Sequence, residues 1–365
     1  MSHSERGHLD IRDVARRAKV STATVSRTVN RIATVDAQLA KRVWKAINEL
    51  GYYPNRQARA LVSGKSRIFG LIVSELTNPF FPEIVQTFET LAVENDYEIL
   101  LTSTVHDPKR MELAVRRMIE GRVDGVAILT FGFEDYLWEH PRFRDLPLVF
   151  VDVGPKAPRV SNIRVDYFHG IRQAVQHLAA MKHKQIGFVS GPHRLRSAVA
   201  RTEAFKKSML EIGMEVKPEF MVEGDHTLEG GKLALQKLHK LRERPTALLC
   251  SNDMTAIGVM RQAFELGIAV PRELSLIGFD DIHLADFMIP PLTTVRASQS
   301  ELAKLAFDAL IKETRRESPS PGGTEYNLKT QLILRRSTAF PPAHSNAKSQ
   351  TAARRERPAR RAGKE

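Results

Sequence analysis

The chain has 365 residues, 42% apolar and 27% charged, a composition that suits two or three ordinary folded domains. Its one cysteine, Cys250, excludes an internal disulfide framework or a cysteine-rich zinc module; no apolar run reaches about 18 residues, and MSHSERGHLD has no apolar signal core, so a cytoplasmic protein without a membrane partner is expected. The net charge of +13 sits at the ends: residues 1–66 hold 13 Lys/Arg against 5 Asp/Glu, residues 341–365 hold 7 against 2, and the rest is neutral, which points to an appended polyanion-binding module.

The first elements are three short helices over Asp10–Leu50. Ile11, Val14, Ala15 and Ala18 form one apolar stripe at helical spacing. Ser21 is an N-cap for a second helix, Thr22–Asn30, with Val25 and Val29 inward and Thr22, Ala23, Ser26 and Arg27 outward. Asp36 caps a third helix carrying Leu39, Val43, Ile47 and Leu50, which stops at Gly51. Two helices joined by a tight turn and braced by a third make a helix-turn-helix. Short donors plus one long bidentate donor on the outer face of the second helix suit base edges in a major groove, whereas a protein-docking face would carry large apolar anchors.

The run DVARRAKVSTATVSRTVN, followed by GYYPNRQARALVSGKS, resembles the DNA-binding head and hinge of the LacI/GalR family of bacterial transcription regulators. The resemblance implies contacts to double-stranded operator DNA from Thr22, Ala23, Thr24, Ser26, Arg27 and Asn30, and from Asn55, Ala58 and Leu61 of the hinge. The hinge is too short to be helical alone, because helix nucleation is costly. In the family the hinge helices of two subunits pair in the minor groove, where Leu61 matches a leucine wedged between base steps.

From Ile68 onward apolar strands (68–74, 97–103, 124–130, 147–153, 185–191, 246–252 and 274–280) alternate with helical patterns (82–95, 108–120, 168–182, 198–213, 228–241 and 253–267). That alternation predicts βαβ units and parallel sheets covered on both faces, with ligands outside the strands' carboxyl ends. NPFFPEI, LCSNDMTAIGVM and SLIGFDDIHLADFMIPPLTTV are similar to the family's sensor. The expected fold is therefore an all-α helix-turn-helix head with a hinge helix, joined to a two-lobed α/β periplasmic-binding-protein-like (type I) domain. Its boundaries are a flexible start at 1–9, the head at 10–54, the hinge at 55–66, the body at 67–340 and a disordered basic tail at 341–365. The N-lobe is placed at about 67–164 and 296–324, the C-lobe at about 165–295 and 325–340.

For the effector cleft the resemblance implies Asp280 as acceptor of ligand hydroxyls, Arg201 as the arginine forking onto ligand oxygens, and polar contacts from Asn252 and Asp152. Phe80 and Phe81 supply aromatic surface, and His226 stands where a stacking aromatic is common. Paired Asp and Arg beside an aromatic wall suit a sugar or sugar acid. Leu195, where purine-responsive members carry a basic contact, argues against a purine. Structural roles compete: Phe80 and Phe81 as core, Arg201 with Asp280 as an interlobe ion pair, and Asp253 as a helix N-cap.

No nucleotide-binding glycine motif, zinc-protease motif or nucleophile elbow occurs, so no catalytic residue, metal or cofactor is nominated and no enzyme is expected. The tail has no leucine heptads, so a homodimer on a palindromic operator is expected, cytoplasmic and nucleoid-associated when DNA-bound, and most simply a repressor. The alternative is an α/β small-molecule-binding or enzymatic protein whose basic head contacts RNA or another polyanion. Single-stranded RNA would favour exposed stacking aromatics, which the outer face of Thr22–Asn30 lacks.

Overall fold

The computed structural model describes residues 9–30, 34–53, 64–130, 143, 145–152, 154–316 and 323–342. The chain divides into two compact units, Met1–Arg67 and Ile68–Glu365.

The first unit contains helices Ile11–Ala18, Thr22–Val29 and Ala37–Leu50. Each start is capped as the sequence predicts. Asp10 and Asp13 form a capping box, the Ser21 hydroxyl accepts from Thr24 N–H, and the Asp36 carboxylate accepts from Gln38 and Leu39 N–H. Gly51 ends the third helix at φ 62, a left-handed position that suits glycine. Val14, Ala15, Ala18, Val25, Val29, Val43, Ala46 and Ile47 make one small core. The turn between the first two helices is clamped from the third: Arg42 donates to the carbonyls of Ala18 at 2.6 Å and Lys19 at 3.2 Å.

The second unit is built on two six-stranded sheets. The first has the order β11-β5-β4-β3-β1-β2 and is parallel throughout: β1 (Ile68–Val73), β2 (Glu98–Ser103), β3 (Gly125–Leu129), β4 (Leu148–Val151), β5 (Val160–Asp166) and β11 (Thr324–Lys329). The second has the order β12-β10-β9-β8-β6-β7: β6 (Ile186–Ser190), β7 (Met221–Glu223), β8 (Ala247–Cys250), β9 (Ser275–Asp280), β10 (Thr293–Arg296) and β12 (Gln331–Ile333). Within it only β10 and β12 pair antiparallel. Both faces of the central strands are buried, as the unbroken apolar runs require. On β1, Phe69, Leu71 and Val73 enter one core cluster and Ile72 enters another.

The chain crosses between the sheets three times: from β5 into the helix Tyr167–Ala180, from β10 into the helix Gln299–Arg315, and from β11 into β12. The last crossing falls at Thr330, later than the sequence boundary of 324/325, because Thr324–Lys329 pairs with β5 in the first sheet. The sequence offers no strand there because the residues alternate with polar ones, and only Leu328 is buried at that sheet edge.

Candidate DNA-binding helix and interlobe cleft

On the helix Thr22–Val29 the residues sort as their spacing predicts. Val25, Thr28 and Val29 are buried; Thr22, Ala23, Arg27 and Asn30 are exposed. Thr24 and Ser26 are half-buried and already engaged, Thr24 Oγ1 with Ser21 Oγ at 2.9 Å and Ser26 Oγ accepting from Asn30 Nδ2 at 3.4 Å. Thr22, Ala23 and Arg27 thus form the free outer face. Thr28, polar in sequence, turns inward and donates to the Thr24 carbonyl at 2.8 Å. Asn55, Ala58 and Leu61, like the tail beyond residue 342, lie outside the described residues.

In the second unit a cleft opens at the carboxyl ends of the two sheets and contains about 750 Å³ of space, open solvent included. Its first-lobe wall carries Ser74, Glu75 and Asn78 after β1, Phe80 and Phe81 at the start of the helix Phe80–Glu94, and His106 after β2. Its second-lobe wall carries Leu195, Ser197 and Arg201, together with His226, Asn252 and Asp280; Tyr167 stands at the first crossing. The lining is mostly apolar with a few convergent polar groups, which is the ordinary make-up of a small-molecule site.

Arg201 sits at the centre. Its Nη1 donates to the Ser251 carbonyl, its Nη2 lies 3.4 Å from Asp280 Oδ1, and its guanidinium lies 4.0 Å from the Phe279 ring centroid and 5.1 Å from that of Tyr167. Arg201 and Asp280 both belong to the second lobe, so their contact is not the interlobe ion pair considered from the sequence. Burial pushes the Asp280 carboxyl up to about 7 against the opposing pull of Arg201. Asp280 is held at φ 111, and the adjoining Asp281 ties the end of β9 to Arg296 at 2.6 Å and Arg335 at 2.7 Å.

His226, at φ 67, places Nε2 2.7 Å from Ser251 Oγ; burial first, then the charges of Arg201, His106 and Arg194, push it down to about 3. Asn252 lines the cleft while also capping the helix Asp253–Glu265: Oδ1 accepts from Thr255 N–H and Nδ2 donates to the His226 carbonyl. Asn252, and not Asp253, is therefore the cap. The Asp253 carboxylate is buried and accepts from Ile282 N–H at 2.9 Å and from the Thr294 hydroxyl at 2.5 Å.

Phe81 is core and Phe80 is half-buried, touching core clusters of both lobes, and the two rings meet edge to face at 5.4 Å. Phe80 and Phe81 therefore serve packing and cleft wall together. Asp152 is a different case. At φ 68 its carboxylate turns back to accept from Val165 N–H and from the Tyr167 hydroxyl, and Tyr167 lines the cleft in its place. Sequence reasoning also missed Ser74 and His106. Ser74 was within reach of the strand-end rule; His106, in a turn at φ 56, gave no signal.

A buried Arg–Asp pair in a cleft between two α/β lobes, together with a helix-turn-helix head, defines a ligand-responsive DNA-binding regulator. The family model of periplasmic binding protein-like domains matches residues 175–338, and that of bacterial regulatory proteins of the lacI family matches residues 10–55. The chain is 33% identical over 327 residues to the HTH-type transcriptional repressor PurR of Actinobacillus pleuropneumoniae serotype 3 (strain JL03), covering 90% of this chain and 97% of that protein. It is 33% identical over 328 residues to the HTH-type transcriptional repressor PurR of Pasteurella multocida (strain Pm70), covering 90% of this chain and 98% of that protein. Among solved structures, the Lac repressor dimer bound to operator and the anti-inducer ONPF aligns with a TM-score of 0.79 at 28% identity, covering 91% of this chain and 99% of that one. The complex of the transcriptional regulator CelR with cellobiose aligns with a TM-score of 0.66 at 26% identity, covering 90% and 100%.

The chain belongs to the LacI family of bacterial regulatory proteins. It is a DNA-binding regulator of transcription and not an enzyme, which removes the enzymatic alternative. Among the described residues no helix is long and apolar enough to cross a membrane.

Proposed function

We propose that the protein is a cytoplasmic repressor that binds a palindromic operator as a homodimer and changes its DNA affinity when a sugar or sugar acid enters the interlobe cleft. The division of labour follows the sequence: residues 10–54 read DNA, 55–66 form the hinge with Asn55, Ala58 and Leu61 at the minor groove, and 67–340 bind the effector and pair the subunits. Thr22, Ala23 and Arg27 make the base-edge contacts, while Thr24, Ser26 and Asn30 support the helix and its phosphate contacts.

The observation that carries the ligand assignment is the buried Arg201–Asp280 pair at the centre of a mostly apolar cleft. Hydroxyl groups donate to the carboxylate and accept from the guanidinium, so a polyhydroxylated ligand satisfies both. Relatives named as repressors support repression, and a neighbour bound to cellobiose supports a sugar in this fold. Leu195 presents an apolar surface to the cleft, where purine-responsive members carry a basic group.

A thermal-shift screen of hexoses, hexuronates and purine bases tests the ligand class, followed by operator titrations with each binder. A sugar-type binder should change operator affinity through a coupling of about 1–3 kcal/mol, and DNA must shift its affinity by the same factor. Asp280→Ala should lose that response and keep operator binding. Stabilisation by a purine base in preference to every sugar would overturn the assignment.

A further inference from the structure

Most polar groups of the cleft are bonded within the protein, and two nitrogens are not. The Tyr167 hydroxyl donates to Asp152. Both ends of the Asn252 amide are bonded, and Asp280 Oδ1 faces Arg201. Arg201 is 9% exposed, yet its Nε, a group that can only donate, is buried with no hydrogen-bond partner among the described residues. On the opposite wall the His106 Nδ1 is likewise buried and without a partner among the described residues. Leaving a buried polar nitrogen unsatisfied is costly, so two such atoms, on residues that line one cleft from opposite lobes, favour a ligand that bonds to both.

We propose that the effector carries an anionic group, seated between His106 of the first lobe and Arg201 with His226 of the second. The inference rests on the cleft being the effector site and narrows its ligand from sugars in general to anionic sugars. An anion is the acceptor that a fixed guanidinium favours most, because the attraction of opposite charges is strongest where water is excluded. The neighbouring charges agree. Burial, and then the charge of Arg194, push His106 down against the pull of Glu75, so it is a seated anion that would draw a proton onto the ring and make both its nitrogens donors. Arg194 stands close enough to depress both His106 and His226, adding positive charge at the same place. Asp225, beside His226, is turned away, accepting from Thr227 N–H and Oγ1. Asp253 is sealed beneath β10, and Asp280, held partly protonated by burial, repels an anion less than a free carboxylate would.

Linkage gives this proposal a sign. A seated anion favours the protonated forms of His106 and Asp280, so binding takes up protons and tightens as pH falls from 8 to 6, by up to about tenfold per pH unit for each proton taken up. A neutral polyol donating a hydroxyl to Asp280 favours the ionised carboxylate and tightens as pH rises.

The test is calorimetric titration of the full chain with hexuronates, aldonates, hexose phosphates and the matching neutral hexoses, in two buffers of different ionisation enthalpy. Tighter binding of an acid or phosphate than of its neutral hexose, with net proton uptake, is the expected result; the carboxylate and phosphate arms separate the two sources of charge. His106→Asn, which the left-handed backbone at 106 tolerates, should weaken the anionic ligand at least tenfold more than its neutral hexose and reduce the proton uptake. Equal or tighter binding of neutral hexoses, with proton release, would overturn the inference and keep the sugar assignment. Binding by no member of the panel would overturn both.

Discussion

The imidazole of His226 occupies the space that a side chain at residue 191 would need. A Cβ built on Gly191 would lie 1.9 Å from His226 Nε2, the atom that meets Ser251 Oγ. A glycine at the end of β6 is therefore what lets a histidine lie on the floor of the second-lobe wall. Gly191→Ala should evict the ring, break the Ser251 contact and weaken the effector response about tenfold or more, while operator affinity without effector stays the same. Operator titrations with and without ligand decide it; an unchanged response means that the ring position is immaterial.

Arg42 ties the turn of the head to its third helix through the Ala18 and Lys19 carbonyls. Removing it leaves two acceptors without that charged donor, at about 1–3 kcal/mol. Arg42→Ala should lower the melting temperature of the head and weaken specific and non-specific DNA binding together, since the whole reading helix is affected. Loss of specificity without loss of head stability would contradict the clamp.

Arg27 is exposed on the outer face of the reading helix. Arg27→Ala should leave head stability unchanged and relax preference at one base pair per half-site, worth about 1–3 kcal/mol each. Binding to a set of single-base operator variants checks it. A uniform loss across all variants would make Arg27 a phosphate contact instead.

Asp280 and His226 give opposite pH slopes to stability. A carboxyl raised from 3.8 to about 7 binds more protons folded than unfolded within that window, so its contribution falls as pH rises through it. A histidine lowered from 6.5 to about 3 binds fewer protons folded, so its contribution falls as pH drops from 6.5. Relative to wild type, Asp280→Asn should gain as pH rises from about 4 to 7, and His226→Gln should gain as pH falls from about 6.5 to 5, each on the order of 1–3 kcal/mol. Denaturant unfolding across that range reads both, and parallel profiles for all three proteins would contradict the assignments.

The helices of the head were legible because their caps and stripes are local. Asp10, Ser21, Asp36 and Gly51 cap the helices they adjoin, and the apolar stripes have nowhere else to go. The central strands of the body were legible for a related reason, since they are apolar on both faces. Strands β5, β7, β10, β11 and β12 were not, because they lie at sheet edges or crossings, where polar residues are tolerated and pairing depends on distant chain.

Strand ends located the cleft without giving side-chain direction. Asp280 and Asn252 line it, whereas Asp152, at an equivalent strand end, is turned away by its left-handed backbone and replaced by Tyr167. Arg42 was invisible because the carbonyls it bonds are far away in sequence, and His106 because it sits in a turn with no pattern to mark it.

The central claim is that the basic head reads a DNA sequence. A duplex selected from a randomised library and a random duplex of equal length, titrated between 50 and 200 mM salt, test it most directly. With 6–10 phosphate contacts from two heads, affinity for the selected duplex should fall by roughly 10³–10⁵ over that range. It should also exceed affinity for the random duplex by about 10³ or more. Equal affinity for both duplexes at every salt concentration would contradict the account.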